Sequence, residues 1–74
     1  MDEQPSVPPA LALARETVKR IVEGAGAWDA PALALYRMFR KGPESWKLRE
    51  AIERHDSTWV RDFMVQVVER LERN

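Results

Sequence analysis

Apolar residues in this chain recur at three- and four-residue steps, and no segment alternates apolar with polar one by one. The first spacing gathers side chains on one face of an α-helix, whereas alternation would mark a strand. Four helices are predicted, over residues 8–23, 30–41, 44–55 and 58–72. The connections are about two to six residues long, which favours direct packing of neighbours. The fold class is therefore an all-α, compact, single-domain bundle.

The first helix carries Leu11, Ala14, Val18, Ile21, Val22 and Ala25 on one face. Its other face holds Glu16, Lys19, Arg20 and Glu23, whose four-residue spacings allow ion pairs. Leu13 falls off the stripe. Ser6 is available as a cap before it, and "EGAGA" ends it with glycines suited to a left-handed C-terminal residue. The second helix follows "WDAP". Asp29 is the expected N-cap, and Trp28 and Leu33 have hydrophobic-staple spacing. Ala32, Leu33, Leu35, Tyr36 and Phe39 cover more than half of its circumference, which predicts a central place in the bundle. Gly42 and Pro43 stop it, with Gly42 expected as the left-handed residue.

The third helix has the narrowest stripe, Leu48, Ala51, Ile52 and His55, with Trp46 pointing away from it. Asp56, Ser57 or Thr58 can cap the fourth helix. Val60, Phe63, Met64, Val67, Val68 and Leu71 then give the clearest periodicity in the chain. Helices 1 and 4 are expected to form the frame. Residues 1–7 are polar and lead into Pro8 and Pro9, and they read as a disordered tail. No repeat or linker divides residues 8–74.

Length sharpens the picture. A 74-residue chain buries only about 60% of its unfolded surface, so packing or self-association must supply stability. Cysteine is absent and there is one histidine, so no disulfide or metal site is expected, and no cofactor. No apolar run approaches the ~20 residues that span a bilayer. The N-terminus lacks the basic start of a secretory signal, which makes the cytoplasm the expected location.

The chemistry-bearing motifs are few. His55–Asp56 lacks the further ligands of a metal site, and reads instead as a helix end and a cap. Glu50 and Glu53 lie among Arg49 and Arg54, as on a solvated, ion-paired face. "GAGAWD" lacks the lysine of a phosphate loop. No catalytic role is expected.

Charge and aromatics point to partners. The formal net charge is +0, unlike the basic excess usual in nucleic-acid readers. Residues 37–54 depart from this balance, with Arg37, Arg40, Lys41, Lys47, Arg49 and Arg54 against Glu44, Glu50 and Glu53. Those six bases define the alternative of a helix-turn-helix-like nucleic-acid binder. The favoured expectation is a non-enzymatic regulatory or accessory protein that binds another protein, or its own copy as a homodimer. Its candidate contacts are the apolar residues left outside the stripes: Trp46, Trp59, Met38, Leu13 and Val65. Trp46 admits two placements, folded over the elbow between helices 2 and 3 near Phe39, or standing out as an anchor. The elbow is the expected one.

Overall fold

A computed structural model describes residues 8–24, 27–42 and 44–73. The expected tail 1–7, the cap Ser6, the stripe residue Ala25 and the helix stop Pro43 lie outside these. Four helices follow in order: α1 (Pro9–Glu23), α2 (Asp29–Phe39), α3 (Ser45–Glu53) and α4 (Ser57–Arg73). Each lies within two residues of its expected ends.

The helix ends explain the turns. Pro8 occupies the N-cap of α1, and Gly24 closes that helix at φ 67°, a conformation glycine adopts without a Cβ clash. Arg20 then braces the connection, donating from Nε to Glu16 at 2.7 Å and from Nη1 to the Ala27 carbonyl at 2.8 Å. Two capping expectations are corrected. Trp28, not Asp29, stands at the N-cap of α2, and no side-chain cap bond forms there. Asp29 acts only by its charge in the first turn, where the helix dipole favours an anion. Gly42 has no left-handed backbone. It sits in a tight place instead, where its N–H donates to the Phe39 carbonyl at 2.7 Å and a Cβ would lie 3.1 Å from that oxygen.

The α3–α4 joint is built differently. His55 is left-handed at φ 56°. The His55 N–H reaches the Ile52 carbonyl at 3.1 Å and the Asp56 N–H reaches Ala51 at 2.9 Å. That pair of bonds is a Schellman ending, with histidine where glycine is usual. Asp56 next caps α4, its Oδ1 accepting the Trp59 N–H at 3.2 Å. One residue thus ends α3 and the next begins α4, as the His55–Asp56 reading predicted, but His55 lies outside the helix and is exposed, not on the buried stripe with Leu48, Ala51 and Ile52.

α1 packs against α2 and α4, α2 against α3, and α3 against α4, which closes a ring. Leu35, Leu48, Val60 and Met64 fill its centre with no exposed surface. Burying each stabilises the fold by roughly 1.5–3 kcal/mol. Ala10, Ala14, Ala32 and Ala51 belong to the same core and keep the helix backbones close. Thr17 is also fully buried, a position the apolar stripe had passed over. Its hydroxyl is satisfied by donating to the Leu13 carbonyl at 2.8 Å.

α1 and α4 do form the frame, tied also by an ion pair between Arg15 and Glu72. α2 is not central. It packs chiefly on α1 and α3, leaving Leu33 and Phe39 each 37% exposed. Val22, expected on the buried stripe, is 69% exposed at the end of α1.

Candidate partner-binding surface

Helix lengths create the main surface feature. The nine residues of α3 span about 13 Å, while the seventeen of α4 span about 25 Å. α3 therefore cannot cover the apolar face of α4 along its whole length. Phe63, Val67 and Leu71 stand four residues apart on α4 and are only half-buried. Together with Phe39 from the end of α2, they line an open groove of about 640 Å³, with the fully buried Leu48 of α3 at its base. That volume falls in the range of ligand sites, roughly 300–1,000 Å³. Glu44, Ser45, Gln66 and Arg70 supply its polar lining.

The turn beside the groove is braced. The Ser45 hydroxyl lies 2.9 Å from the Arg40 carbonyl and 3.1 Å from that of Gly42, and it can donate to one of them at a time. The elbow between α2 and α3 is thus held by backbone and serine. Trp46 takes no part in it. Its side chain is 60% exposed, which overturns the expected elbow placement.

Trp46 instead joins Trp59 along a shallower cleft of about 330 Å³ on the outside of α3, with Lys47, Glu50, Arg54 and Asp56. The Lys47 ammonium stands 5.8 Å from the centre of the Trp46 ring. Trp59 is half-buried, stacked on Phe63 with centroids 5.4 Å apart and planes 10° from parallel. Trp59 therefore links the cleft to the wall of the groove through Phe63.

The other candidate contacts are scattered. Met38 is 47% and Val65 38% exposed, and neither lines the groove or the cleft. Leu13 is half-buried and packs against the core. Of the five sequence candidates, only Trp46 and Trp59 are brought together. The groove residues were legible as apolar positions, but their periodicity assigned them to the core. The available signal was length, since α4 has the long α1 on one side and only the short α3 on another.

The six basic candidates divide in two. On α3 and its two caps each base meets a carboxylate: Lys47 with Glu44 at 3.8 Å, Arg49 with Glu53 at 3.0 Å and Arg54 with Glu50 at 2.9 Å. The hydrogen bond to Glu53, followed by that to Tyr36, raises Arg49 above its ordinary pKa. Arg37, Arg40 and Lys41 form no ion pair with another described residue. The local basic excess is therefore concentrated at the end of α2.

Among the described residues, no three histidine, cysteine or carboxylate side chains are placed to hold a metal ion. No described helix is long and apolar enough to cross a membrane. In comparisons with known proteins, no family model, no curated protein and no solved structure matches the chain.

Proposed function

We propose that this protein is a non-catalytic interaction module of regulatory or accessory type, which receives an apolar segment of another protein in the groove between α4 and the α2–α3 elbow. The observation that carries the reading is the row Phe63, Val67 and Leu71, left open opposite Phe39 in a concave surface. A concave apolar strip on helices is the geometry that takes up an amphipathic partner helix. Trp46 and Trp59, on the neighbouring cleft, extend the apolar area available to a larger partner. The location we propose is the cytoplasm.

Nucleic acid is the second reading, favoured by Arg37, Arg40 and Lys41 at the end of α2. It is weakened by the pairing of Lys47, Arg49 and Arg54, whose carboxylates would face the phosphates beside them. Counterion release depends on bases neutralising phosphates, which a carboxylate beside each base opposes.

A photo-crosslinking amino acid at Gln66, inside the groove, tests the proposal in cells that make the protein. A discrete adduct with a polypeptide, absent when the same group replaces Arg61 outside it, is the expected result. Adducts with nucleic acid alone, or no adduct at Gln66, would refute the protein-binding reading.

A further inference from the structure

We infer that the groove is selective for an acidic amphipathic helix. This inference rests on the proposed protein-binding role and specifies the partner's chemistry. Its basis is the sign of the charge around an apolar floor. Arg70 lines the groove itself. Arg73 is one turn further along the same face of α4. Arg40 and Lys41 sit on the braced turn between two lining residues, Phe39 and Gly42. All four are exposed, and none forms an ion pair with another described residue. Glu44 is the acid of the lining, and Lys47 stands beside it at 3.8 Å. The lining itself thus holds one base and one acid, and the positive excess comes from Arg40, Lys41 and Arg73 beside it, around an apolar floor.

The floor sets the shape of the occupant. Phe63 and Leu71 are about 12 Å apart along α4. A partner helix of roughly three turns, with apolar residues at i, i+3 or i+4, and i+7, matches that length. Asp or Glu flanking those residues would meet Arg40, Lys41, Arg70 and Arg73 at the two walls. Charge also decides against a second copy in this groove. A two-fold dimer puts the same patch against itself, so each copy would bring four bases and only Glu44 of the lining to meet the other's four.

The test uses the full chain and three synthetic probes at low and moderate salt. One is a helix-stabilised peptide with leucines at i, i+3, i+4 and i+7 flanked by Glu. The second has the same leucines flanked by Lys, and the third keeps the Glu residues with Ser in place of Leu. The Glu-flanked peptide should bind on the order of tenfold or more tightly than the Lys-flanked one, with the gap narrowing as salt rises. The Ser-substituted peptide should bind more weakly than both salts' values for the Glu-flanked one. Lys41→Glu with Arg70→Glu should reverse the preference while helicity by circular dichroism is unchanged. Equal binding of the Glu- and Lys-flanked peptides would overturn the inference. So would equal binding of the Ser-substituted peptide, or a groove blocked by self-association in sedimentation. A polypeptide adduct at Gln66 combined with equal binding of the Glu- and Lys-flanked peptides removes the acidic preference and leaves the broader proposal standing. Loss of that adduct removes the broader proposal itself.

Discussion

Trp28 and His55 meet edge to face, with ring centroids 5.8 Å apart and planes at 80°. The contact joins the start of α2 to the α3–α4 turn, two corners that no helix-to-helix stripe connects. It also fixes the imidazole on a backbone in the left-handed region at φ 56°. Such a backbone costs a non-glycine residue roughly 1–2 kcal/mol, and an aromatic pair returns about 0.5–1.5 kcal/mol.

The two terms separate by substitution. His55→Asn keeps a side chain that tolerates the left-handed region and loses the ring contact, whereas His55→Val loses both. We expect His55→Val to be less stable than His55→Asn by about 1–2 kcal/mol in urea unfolding. Equal stabilities would show that the φ at this position is not a constraint in solution.

Asp56 makes a second prediction at the same joint. Its carboxylate accepts the Trp59 N–H in the first turn of α4. Asp56→Ala should cost about 1 kcal/mol, and Asp56→Ser should recover most of it. No difference between the two variants would remove the cap from the account.

The tryptophans should behave unequally. Trp46 is 60% exposed, so Trp46→Ala should change stability by less than about 0.5 kcal/mol. Trp59 is half-buried and stacked on Phe63, so Trp59→Ala should cost about 2 kcal/mol. A large loss for Trp46→Ala would return that side chain to the elbow.

Thr17 tests the buried polar position. Its hydroxyl bonds a carbonyl of its own helix, so Thr17→Val keeps the volume and leaves no donor stranded. We expect a change within about 0.5 kcal/mol, or slight stabilisation. Leu35→Ala leaves a cavity instead and should cost about 2–5 kcal/mol, against a total stability on the order of 4–11 kcal/mol.

Most of the architecture was legible because each helix carries its own period and punctuation. Val60 and Met64 on α4, and Leu48, Ala51 and Ile52 on α3, are buried as their stripes require. Reading failed where a neighbour's reach decides the outcome. Val22 lies on an apolar stripe, but the buried face of α1 is centred on Ala10, Ala14 and Thr17 and leaves Val22 at its edge. Phe39 and Leu33 belong to a helix apolar enough to be central, yet α2 packs on two sides only. Gly42 shows a third limit, because a glycine at a close approach and one at positive φ look alike in sequence. The candidate surface suffered most. Its floor is made of stripe residues, and periodicity marks a face as apolar without saying whether another element covers it.

The most direct measurement of the central claim is a residue-resolved NMR titration of the full chain with the Glu-flanked helical peptide. The account predicts saturable shifts at the amides of Phe39, Leu48, Phe63, Val67, Arg70 and Leu71, with Met38 and Glu16 unmoved. Shifts confined to Trp46, Arg54 and Trp59, or spread evenly without saturation, would contradict it.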